Sequence, residues 1–248
     1  MNYNQVFNIL NFIGDKVPKY KLEPAEGNDY KLGDVLLTPT GAKAGLFKDD
    51  KVTPLNPFDK NYIGVGYKYT QGRLLGKNTY VNGVRTGPME LYFDDGTIQC
   101  KGNEKDNHWD GEFESYYREG GTQTKGQYVM GKKVGEWKMF FGDGNVEEIE
   151  NFDVGRITSK VTYYKNGNVE ESASYVNGEL DGVQQSYHAN GKLHCHREYD
   201  HGFELKRTVY YENGELASVI EKSRNGYYRM IQYNKEGKVE YDYSEVQP

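Results

Sequence analysis

The 248-residue chain holds only two cysteines and two tryptophans. Two cysteines, Cys100 and Cys195, give no disulfide framework of the kind that staples small secreted domains. No apolar run approaches the roughly 18 residues of a membrane-spanning helix. No basic run occurs either, and the formal net charge is −6 with both signs mixed along the chain. That balance disfavours nucleic acid or an anionic membrane surface as partner, because both need a basic patch. The opening residues, Met1-Asn2-Tyr3-Asn4-Gln5, lack the positive start of a secretory signal, so a cytoplasmic setting is expected. Proline is scarce, and five of the seven (Pro18, Pro24, Pro39, Pro54, Pro57) fall before residue 60.

What the chain does have is glycine, 30 residues of it, at a fixed period. Gly72, Gly96, Gly120, Gly144, Gly167, Gly191, Gly214 and Gly237 are spaced by 24, 24, 24, 23, 24, 23 and 23. Most of them end a turn triplet such as Asp94-Asp95-Gly96, Lys165-Asn166-Gly167 or Glu212-Asn213-Gly214. An aromatic pair precedes the triplet, as in Tyr92-Phe93, Tyr116-Tyr117, Phe140-Phe141, Tyr163-Tyr164 and Tyr210-Tyr211. Two residues after the glycine a branched aliphatic recurs: Leu74, Ile98, Val146, Val169, Leu193, Leu216, Val239. Fixed chemistry at each phase of a fixed period marks a repeat array.

Val161 to Gly182 is the cleanest copy. Val161-Thr162-Tyr163-Tyr164 reads as a strand, Lys165-Asn166-Gly167 as a hairpin turn, and Val169 to Val176 as the return strand. A second, wider turn is expected from Asn177-Gly178 to Asp181-Gly182. Arg118-Glu119-Gly120 and Lys235-Glu236-Gly237 point to three-residue first turns with a bulge at the glycine, because glutamate disfavours positive φ. Asn107 stands where a second-turn glycine belongs, and asparagine tolerates that conformation. Propeller blades need roughly 40–45 residues per repeat and helical repeats need helical periodicity, so neither fits. The expected fold is all-β: an elongated single-layer meander of antiparallel β-hairpin repeats over residues 61–248, on the order of 70 Å long. Cys100 and Cys195 share a phase four repeats apart, roughly 38 Å at strand spacing, so two free thiols are expected.

Tyr163-Tyr164-Lys165-Asn166-Gly167-Asn168-Val169 followed by Tyr175-Val176-Asn177-Gly178-Glu179-Leu180-Asp181-Gly182 resembles the variant MORN repeat. The resemblance covers about residues 69 to 240 and implies a MORN-like β-hairpin solenoid. It implies an interaction scaffold rather than an enzyme and carries no catalytic residues. Among bacterial members, it also implies an antitoxin-like or immunity-like role.

Residues 1–60 lie outside the resemblance and read as a cap or attachment segment. Val6, Ile9, Leu10 and Ile13 form one apolar helical face, with Phe7 and Phe12 flanking and Gly14 ending it. A helix there would cap the open end of the sheet or dock a partner; a membrane-surface role is disfavoured by the absence of basic residues before residue 15. The rest of the segment reads as irregular, apart from Val35-Leu36-Leu37, a short apolar run with strand character.

Candidate chemistry is sparse. His188, His194, Cys195, His196 and His201 are the densest group of metal-ligand types, and His194 and His196, two apart, are expected to share a strand face. Against them stands the plain reading of solvent-facing residues in one divergent repeat. Acidic pairs such as Glu147-Glu148 and Glu170-Glu171 read as a solvated face. No phosphate-binding glycine loop occurs, since these glycines lack a strand-to-helix setting. Neither catalytic residues, a metal site nor a cofactor is expected.

The aromatic pairs are the better clue. Neighbouring residues of a strand point to opposite faces, so one row comprises Tyr92, Tyr116, Phe140, Tyr163, Tyr187, Tyr210 and Tyr233. The other comprises Tyr69, Phe93, Tyr117, Phe141, Tyr164 and Tyr211. A single-layer sheet cannot bury both, and tyrosine-rich surfaces favour partner binding. Which row is exposed depends on whether the first turn holds two or three loop residues, a choice the sequence leaves open; the first row is the candidate binding surface of a non-catalytic protein-binding scaffold. Two alternatives remain at this level. One is a structural subunit of a larger assembly, such as a viral particle or appendage, attached through residues 1–60. The other is a metal-dependent enzyme using the His188–His201 cluster.

Overall fold

The computed structural model describes residues 34–37, 43–48, 51–53, 64–70 and 73–246. The helix expected over residues 6–13 lies outside the described residues. The described residues are all-β and contain no helix. By compactness the chain divides into two units, one holding residues up to Thr122 together with Tyr128–Gly131, the other Gln123–Gln127 and Lys132 onward.

The first unit contains β1 (Asp34–Leu37), β2 (Lys43–Lys48), β3 (Lys51–Thr53), β4 (Gly64–Thr70), β5 (Arg73–Val81), β6 (Val84–Tyr92), β7 (Ile98–Lys105) and β8 (His108–Tyr116). The run Val35-Leu36-Leu37 is thus a strand. Pairing is antiparallel throughout, in the order β3-β2-β1-β4-β5-β6-β7-β8. β9 (Thr122–Val129) contributes residues to both units.

The second unit continues with β10 (Lys132–Phe140), β11 (Val146–Asp153), β12 (Arg156–Tyr163), β13 (Val169–Val176) and β14 (Glu179–Tyr187). It ends with β15 (Leu193–Asp200), β16 (Phe203–Tyr210), β17 (Leu216–Lys222), β18 (Tyr227–Tyr233) and β19 (Val239–Val246). Each strand pairs antiparallel with the next, from β10 to β19. Strands contact chiefly the strands they are hydrogen-bonded to, so the sheet of each unit is a single layer among the described residues.

The two turns of a repeat differ in kind. The first has three loop residues: Tyr164 N–H donates to Asn168 O at 2.9 Å, and Gly167 N–H to Tyr164 O at 2.9 Å. Gly167 sits at φ +86° and forms the bulge, as the glutamates of the other copies predict. The middle Asn or Asp braces the loop from within. Asn166 Oδ1 accepts from Asn168 N–H at 3.0 Å, and Asp95 Oδ1 from Thr97 N–H at 2.9 Å.

The second turn is tighter than expected. It is a two-residue turn, Asn177-Gly178, with φ +54° and +87°, the primed type that matches strand twist. Asp181 and Gly182 do not close it; they lie inside β14. Gly182, at φ +81°, marks a bulge where Leu180 to Gln184 face only Tyr175 to Ala173 on β13. The bulge has a use. Asp181 Oδ2 accepts the His201 N–H at 3.1 Å, and Leu180 O accepts the Gly202 N–H at 2.8 Å. The second turn at His201-Gly202 is thereby tied to the hairpin before it. Asp110 and Trp109 do the same in the first unit, accepting from Met130 N–H at 3.1 Å and Gly131 N–H at 2.8 Å.

Every buried side chain among the described residues lies on one face of its unit. In the first these are Asn78, Tyr80, Met89, Cys100 and Glu104; in the second, Trp137, Ala173 and Cys195. The register links them in rows, such as Trp137, Glu150, Lys160, Ala173, Gln184, Arg197 and Arg207 across β10 to β16. The opposite, open face holds no buried side chain among the described residues.

Candidate functional site

All seven rings of the candidate row, Tyr92, Tyr116, Phe140, Tyr163, Tyr187, Tyr210 and Tyr233, are half-buried. Their hydroxyls stay local and on the open face. Tyr187 donates to Gln185 Oε1 at 3.1 Å, Tyr116 to Glu114 at 2.5 Å, and Tyr92 to Glu90. The second row behaves differently. Tyr164 donates to Tyr187 O and Tyr211 to Tyr233 O, each at 2.8 Å. His188, which stands in that aromatic phase, meets Tyr210 O through Nε2 at 3.3 Å. Turn cations cover the same row: Arg118 lies 4.7 Å from the Phe93 ring centre and Lys165 6.0 Å from that of Phe141. The second row therefore ties one repeat to the next.

Charge is spread unevenly over the two faces of the second unit. Across its open face, β11 to β18 align Ile149, Val161, Ser172, Gln185, His196, Thr208, Val219 and Ile231. This row contains no carboxylate, lysine or arginine. It runs beside Phe140, Tyr163, Tyr187, Tyr210 and Tyr233. On β15 to β18 the charged residues of this face stand toward the second turns, at Glu198, Lys206, Glu221 and Arg229, and the row is flanked by Lys138 opposite Ile149 and Asp242 opposite Ile231. The other face carries Lys133–Glu150 at 3.2 Å, Lys160–Glu148 at 2.5 Å, Arg207–Glu204 at 2.7 Å and Lys222–Glu204 at 3.2 Å, whereas the ion pairs of the open face include Lys206–Glu221 at 3.3 Å and Arg229–Asp242 at 3.0 Å.

Among the described residues, the first unit lacks such a neutral row. Its corresponding register reads Lys77, Glu90, Lys101, Glu114, with Lys77–Glu90 at 3.3 Å and Lys101–Glu114 at 3.1 Å. Tyr92 and Tyr116 belong to this charge ladder. Their contacts with it, together with the bound lysines, hold the Glu90 and Glu114 carboxyls below the usual range, although burial alone pushes both up.

The histidine group does not assemble as the spacing suggested. His194 lies against His188, ring centres 4.6 Å apart, and near Ser186 at 3.5 Å. His196 instead meets Gln185 at 3.3 Å and Glu198 at 3.5 Å. Ser186 and Gln185 are strand neighbours, so the two histidines are on opposite faces. The bulge that sets Ser186 against Cys195 but Tyr187 against Leu193 turns His194 away from the strand alternation. His201 follows the far end of β15. There the ligand atoms of Asp181, Asp200 and His201 lie within 4.8 Å of one another. They are held by each other: His201 Nδ1 is 2.5 Å from Asp200, Arg224 Nε donates to Asp200 at 3.1 Å, and Asp181 caps the His201 N–H. Hydrogen bonding to Asp200 and the charge of Asp181 raise the His201 pKa. Both thiols, Cys100 and Cys195, are free and buried, and burial pushes their pKa up, away from nucleophilic reactivity.

The MORN repeat variant matches three consecutive stretches, residues 133–153, 160–177 and 180–201. They run from β10 to His201, the strands that carry the first five residues of the neutral row, Ile149 to His196, and three of its rings. Repeats of this kind are generally protein- or membrane-binding scaffolds and typically non-enzymatic. No curated protein matches the chain.

Proposed function

We propose that the chain is a non-catalytic scaffold that holds a protein partner on the open face of its second unit. Phe140, Tyr163, Tyr187, Tyr210 and Tyr233 supply the anchors, and Tyr92 and Tyr116 hold the same phase in the first unit. The observation that carries this reading is the uncharged row from Ile149 to Ile231 beside those rings. Protein interfaces have such a centre, poor in charge and rich in aromatics, inside a polar rim. Tyrosine adds large contact area at small entropic cost. A protein fits a flat neutral strip better than an anionic membrane does, given the net charge of −6. The resemblance to antitoxin-like repeat proteins supports a toxin as the partner class, and two free thiols suit a cytoplasmic setting.

The test compares proteins captured from the native host by the wild-type chain and by two variants. In one, Tyr163, Tyr187 and Tyr210 become serine; in the other, Tyr164→Phe and Tyr211→Phe alter the row that ties repeats together. The reading expects one partner to be lost with the serine variant and kept with the phenylalanine variant. Equal capture by all three would end it.

A further inference from the structure

We propose that the outer edge of β19 is a second docking site, which takes up a cationic extended segment of a protein partner as an added antiparallel strand. β19 pairs with β18 and, among the described residues, contacts no other strand appreciably. Its outer N–H and C=O groups form the template that an unpaired strand offers.

The repeat phase shows what this edge lacks. Tyr241 stands four residues beyond Gly237, the place Cys100 holds after Gly96 and Cys195 after Gly191. Tyr243 stands at the phase of Ala173. Cys100, Cys195 and Ala173 are 7 %, 2 % and 5 % exposed, whereas Tyr241 and Tyr243 are 48 % and 40 % exposed. The inner positions have a strand on each side, and among the described residues β19 has one. The two rings stack on each other, centres 6.3 Å apart and 17° from parallel, and leave an apolar step beside the edge.

Charge identifies the missing strand. β19 contains Glu240, Asp242 and Glu245 and neither lysine nor arginine. β11 has the same character, with Glu147, Glu148, Glu150 and Asp153 and no cation. β11 is neutralised from both sides: Lys133 of β10 reaches Glu150 at 3.2 Å, and Lys160 of β12 reaches Glu148 at 2.5 Å. β19 has a cation on one side only, Arg229 of β18, 3.0 Å from Asp242. A second copy of β19 is a poor occupant. Antiparallel self-pairing centred on Asp242 sets that residue against itself, centring on Tyr241 sets Glu240 against Asp242, and in any register a second copy adds three carboxylates to the edge and no cation. Like charges directly opposed destabilise a sheet, and opposite charges support it. A lysine- or arginine-bearing strand completes the edge as β10 and β12 complete β11.

The probe is a fluorescent synthetic peptide with the sequence of β12, Arg156–Tyr163. Its control carries Arg156→Glu and Lys160→Glu. Anisotropy with the full chain at low salt should show the basic peptide binding at least about tenfold more tightly than the control. Glu240→Lys with Glu245→Lys should invert that preference. The serine variant of Tyr163, Tyr187 and Tyr210 should bind the peptide like wild type, which separates this site from the open face. Hydrogen exchange should slow at β19 when the basic peptide is added. Absent binding, equal binding of both peptides, or insensitivity to the lysine substitutions would overturn the proposal. So would outward-facing β19 amides already protected in the free chain, or a dimer in sedimentation that the lysine substitutions abolish, since either means another occupant.

Discussion

Trp137 lies flat over the backbone of Gly126: a Cβ placed on that glycine would stand 2.3 Å from Trp137 Cδ2. The indole is 1 % exposed and its Nε1 donates to Gln127 O at 3.1 Å. Gly126 is outside the left-handed region, so its need for glycine is purely one of space. Gly102 repeats the arrangement under Trp109, at 2.9 Å from Cζ3. A thin sheet has few places to bury a large ring, and a glycine opposite makes one. Gly126→Ala is expected to cost about 1–3 kcal/mol through overpacking. Trp137→Leu added to it should cost less than the two changes do separately. Gly142→Ala, where nothing lies within 4 Å, is the control and should change little. Denaturant unfolding monitored by fluorescence and circular dichroism measures all four variants.

Val154 occupies the first position of a primed turn at φ +40°, where Asn82 and Asn177 stand in sister repeats. A β-branched residue is strained there, by roughly 1–2 kcal/mol. The side chain is 55 % exposed, so its replacement forfeits little packing. Val154→Asn is expected to raise stability by about 1 kcal/mol. The Gly155 N–H to Lys133 O bond, 2.7 Å, should persist and exchange more slowly. Thermal melts and amide exchange at Gly155 check both halves.

His194 and His201 should titrate on opposite sides of the usual imidazole value of roughly 6.5. Burial, then the charges of His188 and Arg197, lower the first. The Asp200 hydrogen bond, then the charges of Asp181 and Asp200, raise the second. On acidification His201 gains its proton before His194. The folded value of His201 is raised, so its contribution is complete below the unfolded pKa and disappears as pH rises through the folded one. Asp200→Asn should bring His201 back toward the ordinary value and leave His194 in place. Proton NMR of the imidazole resonances from about pH 4 to about pH 9, a range that brackets the reference value, reads both.

The period of glycines made the hairpin array legible, because each phase repeats one physical demand. The three-residue first turn was readable from Glu119 and Glu236, which cannot easily take the conformation that Gly120 and Gly237 take. Gly178 and Gly182 were harder. One closes a turn and the other opens a bulge inside β14, and both are glycines at positive φ. The distinguishing signal was the recurring Asp-Gly at 110–111 and 181–182, each 20 residues before the turn N–H that the aspartate caps. Sequence alternation misplaced His194 for the same reason: a bulge adds a residue and resets the faces. The uncharged row was present in alternate residues of β11 to β18. It became readable only once the bulges fixed which residues share a row.

Glu204 is the centre of the charged face, and its environment fixes how the second unit responds to acid. Its side chain is 12 % exposed and is held by Arg207 at 2.7 Å and Lys222 at 3.2 Å. Burial pushes its pKa up, but the two cations outweigh burial and the carboxyl ends below its ordinary value. A depressed folded pKa means that the stabilisation is present above the unfolded value of roughly 4.3. It is lost as pH falls through the lower folded value. The second unit should therefore hold its stability from neutral pH to about 5 and lose it on further acidification. Glu204→Gln should be less stable near neutrality by about 1–3 kcal/mol, since it leaves Arg207 and Lys222 without their shared carboxylate. It should also lose less stability between about pH 5 and 3 than wild type does. Urea unfolding at a series of pH values gives both slopes, and equal acid slopes for the two proteins would contradict the assignment.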